Sequence, residues 1–232
     1  TNLEYGAENV AFSPFLRRLK QELYNDSVRK IESVSEQGGG SNNRWVDLTL
    51  KVSPKMIKDA QGNENKAFTG HLGTHFDVMN KEFPLNYTER KAIVFDVSSI
   101  SGRDIEVQDI DLSKVKPDMF VSFYSGYIER ESYGSKAYFS EHPQLSDELI
   151  EKLLDRHISI IGIDFAGVRR GKEHTPKDQY CADKGVFIIE NLCHLGQLLV
   201  GDEKSAEFIA NTYPMNFAEM TGLPCRVIAK RK

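Results

Sequence analysis

Ser146-Asp147-Glu148-Leu149-Ile150-Glu151-Lys152-Leu153-Leu154-Asp155-Arg156-His157 runs directly into Ile158-Ser159-Ile160-Ile161-Gly162-Ile163-Asp164-Phe165. The first half reads as an amphipathic helix, with Ser146 as its N-cap and Glu148 in the first turn, where a carboxylate complements the helix dipole. The second half is short, apolar and β-branched, the texture of a strand buried on both faces. Helix followed by buried strand is an αβ unit. Working outward, GVFIIENL (185–192) repeats the buried-strand texture, and KAIVFDVS (91–98) and DMFVSFYSGY (118–127) are further β-rich runs. VDLTLKV (46–52) alternates with period two, CRVIAKR (225–231) reads as a closing strand, and NLCHLGQL (191–198) as a helical turn. No internal repeat is visible. The mixture predicts an α/β body whose helices cover a mixed sheet or open barrel.

The 232 residues are 40% hydrophobic and 28% charged, a globular composition able to bury its own core. Thirty Lys and Arg against 34 Asp and Glu give a net charge of −4, which argues against a nucleic-acid partner because phosphate binding needs a basic footprint. No apolar run reaches the roughly 18–20 residues of a membrane helix, and no signal peptide is visible. Cys181, Cys193 and Cys225 lack a C-x-x-C spacing and read as reduced thiols of a cytoplasmic protein, with Cys193 buried behind its strand.

The chain divides by texture into residues 1–43 and 44–232. In the first part, Ser13-Pro14 reads as a helix start, followed by a Phe15, Leu16, Leu19, Leu23 stripe that packs on the main body or a second subunit. GGGSNN (38–43) is a flexible linker by composition.

The chemistry-bearing segment is Gly70-His71-Leu72-Gly73-Thr74-His75-Phe76-Asp77. Imidazole and carboxylate together suit Zn²⁺, Mn²⁺ or Fe²⁺. In a straight strand His71 and His75 stand about 13 Å apart; in a helix they align but Asp77 points elsewhere. One ion reached by all three requires a bend, and Gly73 offers the backbone freedom. By spacing alone, a ligand set and a polar surface loop are equally good readings.

The string H-x-G-T-H-x-D resembles the signature of the cyclase family that includes bacterial kynurenine formamidase and isatin hydrolase. In order along residues 44–230, Val46-Asp47-Leu48-Thr49 resembles the family's D-L-[ST] strand and Pro117-Asp118 its G-D-x-V entry. Ser125-Gly126-Tyr127 resembles T-G-W, and His142-Pro143-Gln144-Leu145-Ser146 resembles H-P-G-L-S. Gly162-Ile163-Asp164 and Ile189-Glu190-Asn191-Leu192 resemble G-[IV]-D and I-x-E-N-L. The resemblance implies a swivelling β/β/α domain, usually a homo-oligomer, that hydrolyses an amide or cyclic amide with a divalent metal, as in tryptophan catabolism. It implies His71, His75 and Asp77 as metal ligands, with Glu190 near the metal or on a second ion.

Two departures qualify this. The family motif continues to a histidine expected as general base or acid, and here that position is Lys81. Lys81 is read as a proton-transfer residue if a metal depresses its pKa, as an oxyanion donor, or as an ordinary surface lysine. The family often has a histidine twelve residues before the Glu, and here that position is Asp178, either an oxygen ligand or part of the polar loop RRGKEHTPKDQ. His174 in that loop is placed to supply the missing imidazole. The expectation is one ion, zinc or manganese, rather than two, acting on a small molecule. An alternative is a metal- or ligand-binding member without activity. Phe76, Tyr124, Tyr127 and Phe165, beside the landmarks, are candidate walls of a substrate pocket, although aromatics in such places are more often core. His157 reads as a helix C-terminal residue and His194 as a core histidine. Arg169-Arg170 reads as a carboxylate clamp or a solvated loop, and Asp164 as orienting its neighbouring loop.

Overall fold

The computed structural model describes residues 44–61 and 70–232; the helix expected at 14–24 and the linker at 38–43 lie outside them. Eight strands form one mixed sheet: β1 (Trp45–Asp47), β2 (His75–Asp77), β3 (Glu89–Asp96), β4 (Phe120–Tyr124), β5 (Ile160–Ile163), β6 (Phe187–Glu190), β7 (Ser205–Pro214) and β8 (Gly222–Arg231). Their order is β1-β8-β2-β6-β5-β4-β3-β7, and β7 pairs back onto β8. The sheet therefore closes into a seven-stranded barrel, with β1 appended to the C-terminal half of β8. Strands β3 to β6 run parallel; β2, β7 and β8 join them antiparallel. This is the α/β body with a mixed sheet and flanking helices that the sequence predicts.

Alternation along the strands separates two cores. Phe76, Ala92, Val94, Phe120, Ile160, Phe187, Ile189 and Phe208 belong to one cluster, packed among strand residues on the inner face. Ile93, Phe95, Val121, Phe123, Ile161, Ile163 and Ile188 belong to the other, under the helices. Helix α4 (Asp147–Leu154) covers this outer face with buried Leu149, Ile150, Leu153 and Leu154, and the Ser146 hydroxyl caps it by accepting from the Leu149 N–H. The other helices are α1 (Pro54–Gln61), α2 (Tyr127–Arg130), α3 (Lys136–Ser140) and α5 (His174–Asp183).

The barrel interior fixes Gly162. A Cβ there would stand 2.2 Å from Phe120 Cε2 and 2.8 Å from Leu192 Cδ1, both in fully buried side chains. Gly162→Ala is therefore expected to lower unfolding free energy by about 1–3 kcal/mol through overpacking. Urea denaturation measures it; an unchanged midpoint would show that the ring has room to move.

Three elements differ from the sequence reading. The period-two run at 46–52 gives only a three-residue strand, because pairing with β8 covers Trp45–Asp47, beyond which Thr49 makes an isolated bridge to Leu192. Strand β7 was not predicted. The polar stretch around residue 174 is helix α5, whose buried residues are Asp178, Cys181 and Ala182, so no apolar stripe announces it. No helix among the described residues is long and apolar enough to cross a membrane. All three cysteines are free and buried.

Candidate metal centre

Strand β2 puts His75 and Asp77 on the same face, the outer one, because side chains two apart point the same way. Register does the rest: His75 lies directly opposite Glu190, the last residue of β6. Helix α5 crosses above with His174 and Asp178 one turn apart. His71 arrives through a bend at Gly73, whose φ is +71°, a left-handed conformation natural to glycine.

The six side chains converge. His71 Nε2 is 3.1 Å and His75 Nε2 3.5 Å from Asp77 Oδ1. His75 Nε2 is 3.6 Å from Glu190 Oε2, and His174 Nε2 is 3.1 Å from both Asp178 Oδ2 and Glu190 Oε1. Two groups have metal-ligating atoms within 4.8 Å of one another: His71, His75, Asp77, and Asp77, His174, Asp178, Glu190. Asp77 is common to both. Asp77, His75, Asp178 and Glu190 are buried, whereas His71 and His174 keep about a third of their side chains exposed at 31% and 34%.

Such a cluster is strongly polarised. Burial disfavours a charged His75, but Asp77 and Glu190 outweigh it and push its pKa up to about 9. Burial likewise opposes a charged His174, yet its contacts with Asp178 and Glu190 raise it to about 11. Burial raises Asp178 to about 7, reinforced by Asp77 and Glu190 and opposed by His174. Asp77 is held well below the carboxylate range by His75 and His71, against the effect of burial. Three carboxylates packed this tightly call for positive charge. Asp77 Oδ2 and Asp178 Oδ1 are buried without a hydrogen-bond partner, and buried polar atoms normally have one. Orphaned carboxylate oxygens beside imidazole nitrogens are the donor set of a divalent cation.

Hydrogen bonds behind the cluster orient it. His75 Nδ1 donates to the Gly73 carbonyl at 2.8 Å, which directs Nε2 at Asp77 and Glu190. Asn191 Nδ2 donates to the same carbonyl at 2.9 Å. Thr74 Oγ1 donates to the Asn191 carbonyl at 2.7 Å and accepts from the Leu50 N–H.

The cluster lines a cavity of 220 Å³, walled also by Met79, Phe139, Ala166 and Thr175. None of the four aromatics expected at the substrate pocket lines it. Phe76 faces the barrel interior, since its neighbours His75 and Asp77 take the outer face; it packs on Phe83 with ring centroids 4.7 Å apart. Phe165 is buried and stacks on His142. Tyr124 donates to Glu129 Oε2 and Tyr127 to the Ala137 carbonyl, both away from the cavity. The aromatic wall is Phe139 on α3, which no motif in the sequence signals.

Lys81 is also placed elsewhere. Its Nζ pairs with Asp183 Oδ1 at 2.7 Å, half-exposed, on a neighbouring groove of 710 Å³ that shares only Met79 with the cavity. His174, in contrast, stands inside the cluster. His194 is exposed rather than core, its Nδ1 bonded to the Asp47 carbonyl. His157 follows α4, exposed, with φ +54°. Arg169 is engaged by Asp104 and Glu173 and Arg170 lies outside the cavity. Asp164 accepts from Ser125 N, Ser125 Oγ and Gly126 N, tying that turn to β5.

Comparison with known proteins places this architecture. The family model described as Putative cyclase matches residues 46–169, and the chain belongs to that family. None of the curated proteins searched matches it. Among solved structures, a protein described as a predicted metal-dependent hydrolase from Bacillus stearothermophilus superposes with a TM-score of 0.62 at 21% identity, covering 81% of this chain and 98% of that one. Isatin hydrolase A from Labrenzia aggregata, bound to benzyl benzoate, gives 0.62 at 19% identity, covering 88% and 99%. Isatin hydrolase A from Ralstonia solanacearum gives 0.63 at 16%, covering 88% and 97%. At these identities the likeness is one of fold.

Proposed function

We propose that this chain is a metal-dependent hydrolase of a small amide or cyclic amide, in the manner of isatin hydrolase and kynurenine formamidase. The observation that carries it is the convergence of His71, His75 and Asp77 on one face of the β2–β6 pair, beside a small cavity. These three residues would hold the ion, Zn²⁺ or Mn²⁺. A divalent cation in such a site lowers the pKa of a coordinated water toward 7 and polarises a carbonyl.

The chain's own residues do the remainder. Met79, Phe139 and Ala166 give the cavity apolar walls that exclude bulk water and seat the flat part of an amide. His174, partly exposed and held protonated by Asp178 and Glu190, would give its proton to the departing nitrogen and regain one from solvent, which also takes the proton lost by the attacking water. It takes the role that the sequence offered to Lys81, whose ammonium is committed to Asp183.

The test is turnover of isatin and of N-formylkynurenine by metal-free protein, with and without added Zn²⁺ or Mn²⁺. Hydrolysis that appears only with metal supports the reading, and His174→Gln should lower kcat by about 10²–10⁴ while one ion per chain remains. Metal-loaded protein inert toward both classes of amide would defeat it. The four-residue group Asp77, His174, Asp178, Glu190 favours a second reading, in which it holds a second ion. Loss of that ion in His174→Gln, from two per chain to one, would select it.

A further inference from the structure

Behind His75 lies a chain of hydrogen bonds whose donors and acceptors can be assigned without ambiguity. The Gly73 carbonyl can only accept. His75 must therefore carry its proton on Nδ1 to make the 2.8 Å contact, and Asn191 must turn its amide nitrogen to the same oxygen at 2.9 Å. That turn leaves Asn191 Oδ1 facing Tyr138 Oη at 2.7 Å, so the tyrosine hydroxyl donates. Tyr138 is fully buried, and Asn191 and Thr74 nearly so. Asn191 sits at φ +59°, a conformation that asparagine tolerates better than most residues. The same glycine is held from its other side, where its N–H donates to Tyr133 Oη at 2.9 Å.

We propose that Tyr138 and Asn191 are positioning residues: acting in series through the Gly73 carbonyl, they set the tautomer and ring orientation of His75. The proposal rests on the reading of His75 as a metal ligand. Gly73 is the bend of the site, and a glycine peptide left to itself reorients readily. A carbonyl gripped by a buried amide, which is gripped by a buried hydroxyl, cannot. The imidazole bonded to it then presents Nε2 to Asp77 and Glu190 in one fixed direction. Partners of this kind behind a ligating histidine contribute to metal affinity although they never touch the ion. Tyr138 lies in the α3 segment that also supplies Phe139, so the wall of the cavity and the orientation of the ligand come from one short piece of chain.

The test uses Tyr138→Phe, Asn191→Asp and Asn191→Gly in the full chain, with two readouts. Zn²⁺ affinity is measured by chelator competition, and the His75 Nδ1–H resonance is followed by NMR in metal-free protein together with its exchange with solvent. Tyr138→Phe removes one oxygen and keeps the ring; Asn191→Asp keeps size but cannot donate to Gly73. Each is expected to weaken zinc binding by about 10–100-fold and to speed exchange of the Nδ1 proton. Asn191→Gly keeps the left-handed backbone and should show the same loss. Adding Tyr138→Phe to it should cost no more, because the hydroxyl acts only through the amide. Affinities within twofold of the unaltered protein, with an equally protected Nδ1 proton, would overturn the proposal. So would additive losses in the double variant. The NMR readout needs neither zinc nor substrate, so a protein that hydrolyses no amide still decides this question separately from the proposed activity.

Discussion

Asp77→Ala is expected to abolish metal binding and to lower hydrolysis by at least about a thousandfold. Asp77 is the one residue common to both potential ligand groups. Its Oδ1 lies 3.1 Å from His71 and 3.5 Å from His75, while Oδ2 is buried without a hydrogen-bond partner. Losing a single well-placed electrostatic group in an active site costs about 10²–10³ in rate. Losing the cation that such a group secures costs more, because both water activation and carbonyl polarisation go with it. Asp77→Asn serves as the isosteric control: it preserves volume but removes the charge, and it should behave nearly as badly. Elemental analysis and steady-state kinetics read the two effects. Full metal content in both variants would remove Asp77 from the ligand set.

The second large effect is on stability. Asp77, Asp178 and Glu190 are buried close together, and without a cation only the imidazoles offset their mutual repulsion. A ligand that binds the folded state alone stabilises it by about 4 kcal/mol at a thousand times its dissociation constant. For a domain of this size that corresponds to a rise of about 10 °C in melting temperature. Zn²⁺ or Mn²⁺ added to chelator-treated protein should produce it, whereas the Asp77→Ala protein should not respond. Calorimetry showing the same shift in both would indicate metal binding elsewhere on the surface.

The sequence made the scaffold legible where burial leaves a pattern. The Ser146–Phe165 unit appears as a helix then a strand, each shorter than its sequence run (Asp147–Leu154 and Ile160–Ile163), because an amphipathic stripe and a doubly buried strand each leave a readable pattern. Strand β7 escapes because Ser205–Pro214 alternates irregularly between polar and apolar residues, although it is paired on both sides, with β3 and β8. Helix α5 escaped for the opposite reason: the face it buries includes Asp178, and a helix that turns a carboxylate inward to a site has no hydrophobic stripe to read. Three of the six clustered side chains, His71, His75 and Asp77, lie in one local string, whereas Glu190, Asp178 and His174 are legible only through the family resemblance. The aromatic wall of the cavity, Phe139, is not legible there. Phe76 is a candidate wall by adjacency alone, whereas placing His75 and Asp77 on one face of a strand sends the residue between them to the other. Lys81 is a candidate only by its place in the motif; beyond Asp77 the chain turns away, and Lys81 meets Asp183 instead. Tyr138 and Phe139, 61 and 62 residues beyond Asp77 in sequence, reach the site through the packing of α3, which no local pattern encodes.

The most direct test of the metal centre is a crystal structure of zinc- or manganese-loaded protein with data collected on both sides of the metal's absorption edge. An anomalous peak within about 2.0–2.2 Å of His71 Nε2, His75 Nε2 and an Asp77 oxygen is the predicted result. A fully loaded crystal whose peak lies elsewhere, with those three side chains turned apart, would contradict it.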